Sequence, residues 1–171
     1  MAQIIRYIDP DAVGGGTGLD WTNAYTSLNA CEAAEQQNLT DAGGDYMTIY
    51  CRSSGGTDDT TVVTFLGWTT NATSYIEVIG YDFPVNGVFD ATKYVLAVTE
   101  NYILTISENY VRIINLQIQS TTITGTGVGI SATTIDAGGS DIRVDSCIVK
   151  GVSAGTGNNY GIYSGDADVT M

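Results

Sequence analysis

Alternating apolar positions recur along this chain in one six-residue frame. Tyr75-Ile76-Glu77-Val78-Ile79-Gly80, Tyr110-Val111-Arg112-Ile113-Ile114-Asn115 and Asp141-Ile142-Arg143-Val144-Asp145-Ser146 align at offsets of 35 and then 31 residues. Ile76 and Val78, Val111 and Ile113, and Ile142 and Val144 keep the two-residue period of a strand with one buried face. Each copy ends in a small or turn-forming residue, and the last two resume as Leu116-Gln117-Ile118 and Cys147-Ile148-Val149. A second apolar patch follows the start of each copy by 18 or 19 residues: Tyr94-Val95-Leu96, Val128-Gly129-Ile130 and Tyr160-Gly161-Ile162. A third patch, Ile103-Leu104-Thr105-Ile106, aligns with Val169-Thr170-Met171, and the middle copy keeps only Thr134-Ile135 there. Three short strands per repeat predict a solenoid with three faces. No stretch beyond residue 40 has helical apolar spacing, so crossover helices are excluded. The expected fold is all-β, a parallel β-helix in which each strand pairs with its equivalent in the next turn.

The region before the repeats reads differently. Tyr7-Ile8-Asp9-Pro10-Asp11 leads into a glycine loop, Gly14 to Gly18, and then Asp20-Trp21-Thr22-Asn23-Ala24-Tyr25. From about Asn23 to Asn38, the residues Tyr25, Leu28, Ala30, Cys31, Ala34 and Glu35 suit a short amphipathic helix with Thr22 or Asn23 as N-cap. An open solenoid end exposes strand edges and an apolar cross-section, and this helix is the expected N-terminal cap. The organisation predicted is residues 1–45 as strand, glycine loop and capping helix, and 46–171 as coils of the same domain. Tyr46 to Cys51, Thr60 to Phe65 and the loop with Trp68 are read as the first, irregular turns.

Composition bounds the function. The 171 residues make one domain with a sizeable core. A net charge of -13 argues against nucleic-acid or anionic-membrane partners. Met1-Ala2-Gln3-Ile4-Ile5-Arg6 lacks the apolar run of a signal peptide, which predicts a chain made in a cytoplasm. Three cysteines, Cys31 in the helix and Cys51 and Cys147 in strands, read as buried small hydrophobes rather than a disulfide framework.

The opening Tyr7-Ile8-Asp9-Pro10-Asp11, the glycine loop, Trp21-Thr22-Asn23-Ala24-Tyr25 and the helix after them resemble the N-terminal cap of right-handed parallel β-helix proteins of the pectate-lyase-like superfamily. Thr48-Ile49-Tyr50-Cys51, Asp59-Thr60-Thr61, Gly67-Trp68-Thr69-Thr70, Tyr75-Ile76, Thr92-Lys93-Tyr94 and Tyr110-Val111-Arg112-Ile113 resemble, more narrowly, β-helix proteins of tailed bacteriophages and prophages. The resemblance implies a right-handed coil and a virion surface component: a fibre, tailspike or decoration element. It implies other virion proteins and further copies of the chain, commonly in a trimer, as partners, with host polysaccharide as a ligand. Such folds also carry polysaccharide lyases and glycoside hydrolases, which form the second reading; a bacterial surface adhesin is the third.

Candidate chemistry is narrow. With no histidine, neither a Ser-His-Asp nor a Cys-His mechanism can be assembled. The glycine loop lacks the Lys and Ser/Thr ending of a phosphate cradle and reads as a surface turn. Glu77, Arg112 and Arg143 fall at one repeat position and form a predicted surface charge ladder, with Asp141 and Asp145 beside Arg143 on the outward face. Asp9, Asp11 and Asp20 are the candidate calcium ligands, although they do not follow the EF-hand pattern, and Asp166 with Asp168 is a weaker acidic pair. Of the aromatic residues in or beside loops, Trp21, Trp68, Tyr81, Tyr160 and Tyr163, the glycan-binding candidates are Tyr160, Tyr163 and Trp68. The simpler role for both tryptophans is to plug the N-terminal cap. No catalytic residue is assigned; hydrolysis would require two carboxylates converging within about 10 Å in a groove. A fourth copy of the repeat would begin at position 173, beyond Met171. That end is expected to be covered by a partner, to stack on another copy, or to continue in a longer chain.

Overall fold

The computed structural model describes residues 2–41, 44–121, 126–133, 140–151 and 158–165, and the backbone of 169–170. Thr134-Ile135, Asp166, Asp168 and Met171 lie outside the described residues. The chain is mostly β, its strands joined in three parallel sheets. The first sheet runs β1 (Gln3–Ile8), β2 (Tyr46–Cys51), β4 (Ile76–Gly80), β7 (Val111–Ile114), β10 (Ile142–Asp145) and β13 (Val169–Thr170), in that order. The second orders β5 (Leu96–Val98), β8 (Gln117–Ser120) and β11 (Ile148–Gly151); the third orders β3 (Val63–Phe65), β6 (Tyr102–Ile106), β9 (Gly127–Ala132) and β12 (Asn159–Ser164). Every strand pair is parallel, and the chain returns to each sheet one place further along.

Inward residues stack in columns between passes. Met47, Ile76, Val111 and Ile142 form one; Ile49, Val78, Ile113 and Val144 form the next. All eight are buried in one continuous core that also takes in Leu96, Leu104, Ile106, Ile118 and Ile130 from the other sheets. The frame of the three aligned segments therefore holds in register, Ile76 against Val111 and Val144 against Ile113. It also extends upstream, because Met47 pairs with Ile76 and Ile4 with Met47.

The corner ending each copy has a steric cause. Asn115 and Ser146 adopt left-handed backbone at φ 55° and 53°, which turns the chain between two strands in a single residue. At the matching place Gly80 lies under the next pass, where a Cβ would stand 1.9 Å from the Asn115 carbonyl oxygen. Glycine is required there by the close approach of backbone.

The other two faces differ from the sequence alignment. Leu96 pairs with Ile118 in the second sheet, not with Ile130. Ile130 instead pairs with Leu104 and Ile162 in the third. Val169 pairs with Ile142, so the last strand returns to the first sheet and is not the partner of Ile103 to Ile106. The cause is weak alternation: β5 and β9 are buried at every position, leaving no period by which to set them in register. Cys147 follows β10 at the corner, half-buried, in place of a strand position.

The helix α1 spans only Leu28–Glu35, capped by Ser27, whose hydroxyl accepts the Ala30 N–H at 3.1 Å. Thr22 and Asn23 lie in a preceding turn, and Tyr25 bridges to Ile8 in extended conformation, which delays the helix start. Leu28 and Cys31 enter the same core as the strands, so the first 45 residues and the coils share one interior. In the inward column that ends at this cap, Arg6 stands against Ile49. Its guanidinium is neutralised by Glu35 at 2.5 Å, which also accepts the Tyr25 hydroxyl at 2.7 Å. Burial, reinforced by Glu35, pushes the Tyr25 phenol up to about 12. The apolar cross-section thus closes under a charge-paired lid.

Candidate functional site

The outer face of the first sheet concentrates aromatic rings. Tyr7 and Tyr50 are register partners on β1 and β2, stacked at 5.9 Å and 28°. Tyr46 and Tyr75 stack at 5.3 Å and 25°, and the Arg112 guanidinium lies 3.7 Å over Tyr75. Trp21, delivered by the loop after the glycines, tilts against Tyr7 at 4.6 Å and Tyr81 at 5.1 Å. Tyr81 meets Tyr50 edge-on at 5.9 Å. Arg52 covers Trp21 at 4.1 Å while its Nε donates to Asp9 at 2.9 Å. Parallel register sets equivalent side chains ~4.8 Å apart, close enough for rings in a column to stack. Trp21 is therefore a half-buried member of an outer cluster, not a plug of the cap. The sequence signal for Tyr7 and Tyr50 is their place one residue before Ile8 and Cys51, the outward position of the frame.

The predicted glycan residues divide. Trp68 is 6 % exposed: its indole donates to Glu32 on α1 at 3.0 Å, and its backbone N–H donates to Glu108 at 2.7 Å. A ring held this way offers no face to a sugar. Tyr160 and Tyr163 are exposed on β12, which with β3 forms the edges of the third sheet among the described residues, and their ring centroids are 6.0 Å apart.

The charge ladder falls in one column, Glu77 against Arg112 and Arg112 against Arg143. Its ion pairs run sideways, because Asp141 takes Arg143 at 2.6 Å and Arg112 at 3.5 Å. These hydrogen bonds, led by Arg143, hold the Asp141 carboxyl below the ordinary carboxylate range.

The acidic residues of the N-terminal loop are tied to backbone. Asp9 accepts the Asp11 N–H at 3.1 Å and the Ser54 N–H at 3.2 Å. Asp11 accepts the Gly55 N–H at 2.7 Å, the Ser53 hydroxyl at 2.9 Å and the Thr57 hydroxyl. Those bonds, led by Thr57, lower its pKa. Asp82 accepts Ser53 N–H at 3.1 Å, so three carboxylates gather on the loop 52–57 and pin it. Asp20 stands apart, bonded to Asn23 N–H at 2.8 Å. Asp9 and Asp11 therefore meet each other but not Asp20. Among the described residues no group of three or more His, Cys, Asp or Glu side chains is placed to hold a metal ion.

Two further carboxylates escaped sequence reasoning. Asp59 is buried, accepting Leu28 N–H at 2.7 Å, the Tyr94 hydroxyl at 2.8 Å and Thr61 N–H at 3.1 Å. Burial pushes its carboxyl up against those hydrogen bonds. Glu108, beside Trp68, is raised chiefly by burial as well. Apart from Thr61, their partners are remote in sequence, Leu28 and Tyr94 for Asp59 and Trp68 for Glu108, so local sequence does not mark them as buried. No helix among the described residues is long and apolar enough to cross a membrane. Comparison with protein-family models, characterised proteins and solved structures gave no match.

Proposed function

We propose that the chain is a right-handed parallel β-helix serving as a structural element of a tailed-phage virion surface, in contact with host glycans. The observation supporting a structural role is where the carboxylates go. Asp9, Asp11 and Asp82 fasten the loop 52–57, Asp59 ties the helix start to Tyr94, and Glu32 and Glu108 clasp Trp68. Carboxylates saturated by backbone and indole donors serve the fold, whereas an acid–base pair needs open access to a bond. A rigid stack of passes suits a spike or fibre, since each pass braces only its neighbours and length adds without new topology. Homo-oligomerisation and attachment to other virion proteins belong to the same reading.

The test is immunogold labelling of purified phage particles with antibody raised against this chain, alongside reducing-end assays on neutral and acidic polysaccharides. Surface labelling without turnover is the expected outcome. Polysaccharide turnover, with particles unlabelled, would favour the polysaccharide-degrading reading instead.

A further inference from the structure

We infer that Tyr81, braced by Trp21 and Tyr50, is a stacking platform for an extended neutral polysaccharide lying along the outer face of the first sheet. The inference rests on the glycan-contacting reading above and assigns it a place and a ligand class. Tyr81 is 62 % exposed, yet its ring is fixed between Trp21 at 5.1 Å and the edge of Tyr50 at 5.9 Å. An exposed aromatic ring normally loses rotamer freedom when a ligand stacks on it; one already held by other rings has less to lose. Trp21 is itself clamped by Tyr7 and by the Arg52 guanidinium, so the support reaches down to strand positions.

The charge pattern selects among glycans. Asp20 adjoins Trp21 and Asp82 adjoins Tyr81, with Asp9 and Asp11 on the same cluster of loops, in a chain of net charge -13. Arg52, over Trp21, is paired with Asp9, so the excess charge on these loops is negative; uronates and phosphorylated sugars would meet that field unfavourably, whereas a neutral glycan would not. The geometry of the face selects an extended chain. Tyr7, Tyr50, Ile79 and Ile114 succeed one another in one outward column; beside it Tyr46 stacks on Tyr75, and Tyr110, whose carbonyl accepts the Ile76 N–H, follows one pass further on. Each step is ~4.8 Å, close to the length of one pyranose unit, so a linear polymer meets a surface of matching period.

Calorimetry and tryptophan fluorescence with cello-, manno- and maltohexaose, and with oligogalacturonate as the acidic control, test the assignment. At least one neutral hexasaccharide should bind. Tyr81→Ala should weaken that binding about tenfold, Tyr81→Phe should retain it, and Tyr160→Ala should leave it unchanged. Three results would overturn the inference: no neutral hexasaccharide bound at millimolar concentration, Tyr81→Ala binding like the parent, or oligogalacturonate binding more tightly. A particle-labelling protein that binds none of them would sink this inference alone. Neutral-glycan binding without particle labelling would sink the virion reading alone.

Discussion

Replacing Ile113 by alanine removes three carbons from the middle of an inward column. Ile113 is fully buried between Val78 and Val144, on a strand paired on both sides. Losing three buried carbons costs about 2.4 kcal/mol in transfer free energy. The neighbouring passes are fixed by their ladders and cannot collapse into the gap, so a cavity term of about 1.5–2 kcal/mol adds to it, for about 4 kcal/mol in all. In a chain of this size that lowers Tm by about 8–16 °C. Ile114, the next residue, faces outward and is half-buried, paired with Ile79. Ile114→Ala should cost about 1 kcal/mol or less. Thermal unfolding followed by circular dichroism measures both variants. Equal losses would refute the assignment of inward and outward columns, since that assignment rests on the difference between neighbours.

Three further outcomes follow from the same packing. Ser27→Ala removes the hydroxyl that caps α1 and should lower stability by about 1 kcal/mol, read as a shift in denaturant midpoint at unchanged slope. Gly80→Ala forces a Cβ onto the Asn115 carbonyl and should cost at least about 2 kcal/mol; a variant as stable as the parent would mean that the passes are not stacked so closely. Asp59 has a raised pKa in the folded state, so its ionisation takes nothing from stability at pH values where both states are protonated. Stability is therefore lost as pH rises from about 4 through the folded pKa. Asp59→Asn removes that loss, and its Tm relative to the parent should be higher at pH 7 than at pH 4; an equal difference at both values would contradict the assignment.

The first sheet could be read from sequence because its strands have one buried and one outward face, and Ile76, Val78, Val111 and Ile113 display the period directly. The second and third sheets could not be set in register. Leu96-Ala97-Val98 and the stretch from Gly127 to Ala132 are buried throughout, so apolarity marks the strands without saying which passes they join. The helix was detectable by its apolar face, but its start was obscured by Asp20 and Asn23, which satisfy each other in a turn that imitates a cap. Of the candidate site, Tyr160 and Tyr163 are exposed; Trp68 is buried, as the cap-plugging role requires and a glycan contact does not, whereas Trp21 leaves that role for the outer face. Both tryptophans sit in glycine-flanked loops, and what separates them is long-range: Glu32 and Glu108 hold Trp68 inward, while Arg52 and Tyr81 hold Trp21 on the outer face.

Everything proposed for the outer face depends on the register of the stacked passes, and paired cysteines read that register directly. In a Cys147→Ala background, Ile79→Cys and Ile114→Cys place thiols on partnered residues ~4.8 Å apart at Cα, inside the ~4.4–6.8 Å range of a disulfide. Ile79→Cys with Arg112→Cys is two residues out of register, at about 8 Å, outside it. The remaining native thiols, Cys31 and Cys51, are buried with their pKa pushed up, which keeps them from competing. Rapid oxidation of the first pair and not the second, scored by mass after alkylation, is the predicted result. Oxidation of the second pair in preference to the first would contradict the stacking of passes on which the account stands.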